Sequence, residues 1–157
     1  MRLTVKNIAR IVLLTLIVAT LAFIFVQSVL PPEKSSEQSD KVSDIVEEII
    51  PPETPVGDYV QTNVRKIAHF VEFAALGVWV ALYIVGFYRR RTVALASYAA
   101  ALIVALFDET IQIFSGRGPE VKDVWIDFLG YLTSFTLVII ASFVVMLVIK
   151  KIKSKTA

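Results

Sequence analysis

Four long runs of apolar residues constrain this chain more than any other feature of its sequence. A helix needs about 20 mostly apolar residues to cross the hydrocarbon core of a membrane, whereas a membrane β-strand needs only about 10. The runs cover residues 8–30, 67–87, 92–114 and 124–149. Residues 11–26 and 93–107 also lack the polar face of a helix on a soluble protein. We therefore predict an all-α membrane protein with four transmembrane helices and a single domain over residues 1–157.

The composition supports this class of protein. Hydrophobic residues make up 56% of the chain and charged residues 19%, whereas a typical soluble domain carries roughly 25% charged residues. The chain has no cysteine, which excludes disulfides, thiolate metal sites and thiol catalysis.

The charged residues predict the orientation of the helices. Basic residues flank the cytoplasmic ends of membrane helices. They occur here in three groups, which are Arg2, Lys6 and Arg10; Arg89, Arg90 and Arg91; and Lys150, Lys151, Lys153 and Lys155. Four spans place all three groups on one side, so we predict that both termini are cytoplasmic. Residues 31–63 contain eight acidic residues and two lysines and are predicted to form an outer loop.

The first run follows basic residues, as the core of a signal peptide does. Its length exceeds the 7–15 apolar residues of a signal core, and no small-x-small cleavage site precedes Pro31. We therefore favour a retained signal-anchor helix over a cleaved signal peptide.

The outer loop contains apolar residues at helical spacing, namely Val42, Ile45, Val46, Ile49 and Ile50. The pattern predicts a short amphipathic helix that begins near Ser39 or Asp40 and ends before Pro51. We expect it to rest on the outer membrane interface or on the bundle, with a role in recognition as the alternative. The flanking residues 31–39 and 51–58 are predicted to be extended linkers.

Polar side chains collect at the predicted outer ends of the last three runs. The candidate binding residues are Arg65, Lys66, His69, Glu72, Asp108, Glu109, Gln112, Arg117, Asp123 and Asp127. His69 with Glu72, Asp108 with Gln112, and Asp123 with Asp127 are three or four residues apart, so each pair shares a helix face. A carboxylate facing lipid costs about 2–3 kcal/mol or more. We therefore expect these faces to point into the bundle or into a wet cleft, with Glu109 facing a different neighbour from Asp108.

Residues 115–119 form a tight link with two glycines between the last two runs. It is predicted to hold Arg117 over the carboxylates, in a bidentate pair with Asp123 or Asp127. Two interpretations of the whole cluster stay open. It is either a salt-bridge network that joins three helix ends or a functional site.

The pattern of these residues resembles the VanZ-like family. The resemblance rests on Arg65-Lys66-x-x-His69-x-x-Glu72-Phe73-x-x-Leu76-Gly77, Asp108-Glu109-x-x-Gln112, Gly116-Arg117-Gly118, and Asp123 with Asp127-x-x-Gly130. Gln27-Ser28 and Ser35-Ser36-x-x-Ser39 fit it as well. Phe73 stands where the family usually has tyrosine, and Asp127 where it commonly has asparagine.

The resemblance implies a small bacterial plasma-membrane protein. The founding member of the family is associated with low-level resistance to teicoplanin, a glycopeptide with a lipid tail. For this chain we therefore expect an effect on glycopeptide susceptibility.

Three functions are compatible with the sequence. In the first, an outward-facing polar site binds a lipid head group or a lipid-linked cell-wall precursor, since Arg65, Lys66 and Arg117 suit a phosphate. The second is an intramembrane enzyme that acts on a lipid-linked substrate, with His69, Glu72, Asp123 and Asp127 as catalytic candidates. The third is a transporter or channel, which the apolar inner half disfavours.

We predict no resident cofactor and no dedicated metal site. If the protein is an enzyme, a hard metal ion held by Glu72, Glu109, Asp123 or Asp127 would serve the same end as general acid–base catalysis. The expected partner is the lipid bilayer, together with a lipid-linked component. Nothing in the pattern indicates a nucleic acid.

Overall fold

The fold is all-helical in a computed structural model that describes residues 4–88, 90–118 and 120–154. The helices are α1 (Val5–Val29), α2 (Pro32–Ile49), α3 (Pro55–Thr62), α4 (Val64–Phe87), α5 (Arg91–Phe114) and α6 (Val121–Lys153), and these residues include no β-strand. Four of them, α1, α4, α5 and α6, are long and apolar enough to cross a membrane. The prediction of an all-α membrane protein with four such helices is confirmed. The predicted features at Arg2, Arg89, Pro119 and Lys155 lie outside the described residues.

The four long helices form a ring whose order in space differs from their order in the chain. Helix α4 packs most extensively on α6, while α1 packs on α4 and α5, and α5 also packs on α6. Helices α4 and α5 therefore lie diagonally although they are consecutive in the chain. Side chains from all four helices can consequently meet at the bundle axis, where the site described below lies.

Close contact between α4 and α6 depends on two glycines. A Cβ atom on Gly130 would overlap the carbonyl oxygen of Phe70, and one on Gly77 would lie 2.7 Å from the carbonyl oxygen of Tyr131. Contacts this short do not occur between real atoms, so both positions require a residue without a side chain. Beside these glycines, Phe73, Tyr131 and Phe135 belong to the buried core and are fully or almost fully buried.

The segment between α1 and α4 is more helical than predicted. Helix α2 begins at Pro32 rather than near Ser39, so residues 32–39 are not an extended linker. Proline at the first helical position needs no hydrogen bond to its nitrogen, which explains the early start. Helix α3 likewise occupies part of the second predicted linker, where the Thr54 side chain accepts a hydrogen bond from the Gly57 N–H at 3.0 Å.

Helix α2 turns an unexpected face towards the rest of the protein. Its half-buried positions include Ser35, Ser39 and Ser43, whereas Val42, Ile45 and Ile49 of the predicted apolar face are exposed. The serines thus lie on the half-buried side of α2 together with Val46 and Ile50, so the predicted apolar face is only partly covered.

Candidate functional site

One end of the bundle contains all ten predicted site residues. Here α1 and α5 end and α4 and α6 begin, and we call this region the polar end. Asp108, Glu109, Gln112, Arg117 and Asp127 are buried there among the helices. The helix directions therefore bring together residues that lie far apart in the sequence.

Asp108 of α5 occupies the centre of the polar end and is fully buried. Its Oδ1 accepts a short hydrogen bond from the Ser28 hydroxyl of α1. Its Oδ2 accepts a second one from Nε2 of Gln112 at 3.0 Å. Since hydrogen bonds from two helices hold this carboxylate, its orientation is well defined.

His69 of α4 faces two carboxylates. Its Nδ1 lies 3.6 Å from Oδ2 of Asp108 and 3.5 Å from Oδ1 of Asp127 in α6. Asp127 is fully buried, and neither of its oxygens has a hydrogen-bond partner among the described residues. Three helices thus direct an imidazole and two carboxylates at one point.

Gln112 connects this centre to the neighbouring charges. Its Oε1 accepts a hydrogen bond from Arg65 at 2.7 Å, and its Nε2 also donates to Oε1 of Glu109 at 2.7 Å. The second oxygen of Glu109 accepts a hydrogen bond from the backbone N–H of Glu120 at 3.2 Å. Asp108 and Glu109 therefore share Gln112, but their other contacts differ, because Asp108 faces Ser28 of α1 and Glu109 faces the start of α6.

Arg117 takes its position from the end of α5. Gly116 has a φ of +78°, and the N–H of Arg117 donates to the carbonyl of Gln112 at 3.1 Å, while that of Gly116 donates to Ile113 at 3.3 Å. This is the Schellman arrangement that closes a helix and reverses the chain. It directs the guanidinium back into the bundle, where only 6% of the residue is exposed.

The predicted bidentate pair between Arg117 and Asp127 does not form. Nη1 of Arg117 donates instead to the backbone carbonyl of Gln27 at 2.9 Å, and its Nε has no hydrogen-bond partner among the described residues. Asp123, the other predicted partner, lies 3.7 Å from Nζ of Lys66. Burial and the nearby charge of Arg65 lower the pKa of the Arg117 guanidinium. Two positive groups therefore share one region of the polar end.

Ion pairs form the rim of the polar end. Nζ of Lys66 lies 3.5 Å from Oε2 of Glu120, which is also 2.8 Å from Nζ of Lys122. The hydrogen bond from Lys122 lowers the pKa of the exposed Glu120 carboxyl. Exposed pairs of this kind contribute little to stability, so the rim mainly determines the charge of the opening.

His69 lines two of the clefts that open at the polar end. One has a volume of about 270 Å³ and is also lined by Lys66, Asp123 and Asp127. The other has a volume of about 200 Å³. It lies between α1, α2 and α4, and its lining includes Gln27, Ser39, Arg65, Glu72 and Arg117. Both are smaller than the roughly 300–1,000 Å³ that drug-sized ligands occupy.

Sequence reasoning missed two participants. Ser28 and the carbonyl of Gln27 come from α1, and neither residue was among the predicted site residues, although the pair fits the family resemblance. The signal was a polar pair in the last turn of an otherwise apolar helix. A hydroxyl at that depth ordinarily bonds its own helix, and Ser28 does donate to the carbonyl of Ile24 at 2.8 Å. Its additional bond to Asp108 depends on the tertiary arrangement.

These features define a class of small multi-pass membrane proteins in which four long helices enclose a polar cluster at one end. Within that class the chain belongs to the VanZ/LLP1 family, which it matches over residues 11–144. The resemblance inferred from the polar motifs is thereby confirmed. Comparisons with curated proteins and with solved structures gave no significant match.

Proposed function

We propose that this VanZ/LLP1 family member is a bacterial cell-envelope protein whose polar end faces outwards. There it binds the phosphate of a lipid head group or lipid-linked precursor. The observation that carries this proposal is the pair of guanidiniums, Arg65 and Arg117, that line one cleft. Arginine presents a planar set of donors that matches phosphate oxygens.

The state of Arg117 supports an anionic ligand. Only 6% of the residue is exposed, and its Nε has no hydrogen-bond partner among the described residues. Leaving a buried donor without an acceptor costs about 1–3 kcal/mol, and more when the donor is charged. A phosphate oxygen in the cleft would supply the acceptor and reduce the repulsion between the two guanidiniums.

The size of the cleft limits the ligand. A volume of about 200 Å³ suits a head group, whereas a whole glycopeptide antibiotic is far larger. An effect on teicoplanin susceptibility would therefore be indirect. By binding a lipid-linked envelope component, the protein would change what a lipoglycopeptide can reach at the membrane surface.

The test compares Arg117→Gln with the control Arg90→Gln, which removes the same charge at the opposite end of the bundle. Each full-length protein is reconstituted in nanodiscs containing a polyprenyl phosphate, and the bound lipid is measured by native mass spectrometry. A lost charged hydrogen bond is worth about 1.5–3 kcal/mol, so we expect Arg117→Gln to bind at least tenfold more weakly. Equal binding by the two variants would contradict the proposal.

The same variants address the phenotype. In a bacterial host, the wild-type protein and Arg90→Gln should shift teicoplanin susceptibility equally. Arg117→Gln should not shift it although it reaches the same level in the membrane. If phenotype and membrane level fall together, the cluster is a structural network that joins the helix ends.

A second candidate function is an intramembrane enzyme acting on the same lipid-linked class of substrate. His69 favours it, because this imidazole lines both clefts and faces Asp108 and Asp127. A carboxylate beside a histidine can orient it as a general base. Asp108 and Asp127 fit this role better than Glu72, which the sequence placed on the same helix face as His69. Release of inorganic phosphate from a polyprenyl phosphate by the wild type, and its loss in His69→Asn, would favour this function.

A further inference from the structure

Three side chains at the polar end offer metal-ligand atoms to a common point. They are His69 of α4, Asp108 of α5 and Asp127 of α6, and their ligand atoms lie within 4.8 Å of one another. We propose that these three residues bind one divalent transition-metal cation of the zinc or manganese class. The sequence predicted no dedicated metal site and, within the enzyme alternative, indicated a metal at Glu72, Glu109, Asp123 or Asp127. Of the three residues proposed here, only Asp127 was among them.

The distances fit ligands around an ion better than a hydrogen-bonded triad. Nδ1 of His69 lies 3.6 Å from Asp108 and 3.5 Å from Asp127, whereas an N–H···O hydrogen bond spans about 2.7–3.2 Å. Two ligands held about 2.1 Å from a tetrahedral ion are about 3.4 Å apart. Small side-chain adjustments would therefore complete the coordination.

Asp127 supplies an independent reason for a cation. This carboxylate is fully buried, and neither oxygen has a hydrogen-bond partner among the described residues. Nδ1 of His69 likewise has none. Removing an unpaired carboxylate from water costs several kcal/mol. A divalent cation would offset this cost, and the two aspartates together would balance its charge.

The surroundings hold the proposed ligands in place, as they do in established metal sites. Ser28 and Gln112 both donate hydrogen bonds to Asp108, and Gln112 is fixed in turn by Arg65 at 2.7 Å. Asp108 can still offer a lone pair of Oδ2 to the ion, because a carboxylate oxygen accepts from more than one partner.

The donor set indicates the class of metal. One imidazole nitrogen with carboxylate oxygens suits zinc, manganese or iron rather than the all-oxygen sites of calcium. Three protein ligands leave at least one coordination position open, as in catalytic zinc sites. The 270 Å³ cleft lined by His69 and Asp127 provides a path for the ion.

The open position extends the proposed function of the neighbouring cleft. An oxygen of a phosphate held by Arg65 and Arg117 could complete the coordination, and this extension rests on the proposed phosphate binding. The metal site itself does not depend on it, because neither arginine is among its three ligands.

The experiment measures metal binding by the full-length protein in detergent. The protein is stripped with a chelator and titrated with zinc or manganese chloride, without phosphate, by isothermal calorimetry. The variant is Asp127→Asn, which keeps the shape of the side chain. The matched control is Glu120→Gln, which changes a carboxylate in the same cleft but outside the three ligands. We expect one ion per chain for the wild type and the control, and at least tenfold weaker binding for Asp127→Asn.

A second measurement does not depend on the folding of any variant. Anomalous scattering from wild-type crystals soaked with the ion should place it between His69, Asp108 and Asp127. An ion located elsewhere overturns the proposal, as does a wild-type protein that binds none or an Asp127→Asn variant that binds as tightly as Glu120→Gln. Because the titration contains no phosphate, failure of the metal site and failure of phosphate binding by Arg117 give separate results.

Discussion

Ser28 shows how a single small side chain can connect two helices at the polar end. Its hydroxyl donates to both the carbonyl of Ile24 and the buried carboxylate of Asp108. Removing one partner of a buried bond leaves the other without compensation, at a cost of about 1–3 kcal/mol. We therefore predict that Ser28→Ala lowers the melting temperature of the detergent-solubilised protein, as measured by the intrinsic fluorescence of Trp79 and Trp125.

Thr110→Ala is the matched control for this prediction. The Thr110 hydroxyl bonds the carbonyl of Leu106 in its own helix at 2.6 Å and is exposed. This change should therefore leave the melting temperature nearly unchanged. An equal effect of the two substitutions would mean that the bond between Ser28 and Asp108 contributes nothing.

The contacts of individual residues at the polar end were only partly predictable from the sequence. Helical spacing indicated that Asp108 and Gln112 share a face, and they are hydrogen-bonded. The expectation that Glu109 faces another neighbour holds only in part, because Glu109 reaches the N–H of Glu120 but also bonds the same Gln112 amide. It could not indicate that Ser28 contacts Asp108, because 80 residues separate them. It also paired Arg117 with an aspartate, whereas the Schellman turn at Gly116 directs the guanidinium to the carbonyl of Gln27.

The packing of α4 on α6 is the main contact between elements and positions His69 opposite Asp127. A Cβ at Gly130 would overlap the carbonyl oxygen of Phe70, which is backbone and cannot move aside cheaply. We predict that Gly130→Ala separates the two helices and destabilises the protein by about 1–3 kcal/mol, the usual cost of overpacking. Thermal unfolding in detergent would show the loss as a lower melting temperature.

Gly86→Ala is the control, since nothing lies within 4 Å of a Cβ at Gly86 in the same long helix α4. Alanine favours a helix over glycine by up to about 1 kcal/mol, so this variant should be neutral or slightly stabilised. If both substitutions destabilise equally, close packing of α6 on Phe70 is not the reason for glycine at position 130.

Boundaries of the short helices were harder to predict than the membrane spans. Residues 31–39 were predicted to be an extended linker, yet Pro32 begins helix α2. For α3 the sequence contained a usable signal, because Thr54 caps the helix and Pro55 occupies its first turn. Long apolar runs are decisive for membrane helices, whereas short helices depend on caps and on the surface they pack against.

The structure brings the described members of the three predicted cytoplasmic basic groups to the end of the bundle opposite the polar end. Arg10 in α1 donates to the hydroxyl of Tyr83 near the end of α4 at 3.3 Å, and Arg90 and Arg91 begin α5. Helix α6 has 33 residues, or about 50 Å at 1.5 Å per residue. It therefore exceeds the roughly 30 Å hydrocarbon core and can carry its terminal lysines into water.

This separation of charge predicts the orientation that the proposed function needs. The positive-inside rule places the basic end in the cytoplasm, so the polar end should face outwards.

Because the chain has no cysteine, single cysteine substitutions can test this orientation directly. Ser36 in α2 and Ser154 after α6 are exposed and lie at opposite ends of the bundle. The test uses the two single variants Ser36→Cys and Ser154→Cys. In intact cells a membrane-impermeant maleimide should label Ser36→Cys, and should label Ser154→Cys only after permeabilisation. The reverse pattern would place the polar end in the cytoplasm, where an effect on an antibiotic acting from outside would have no physical basis.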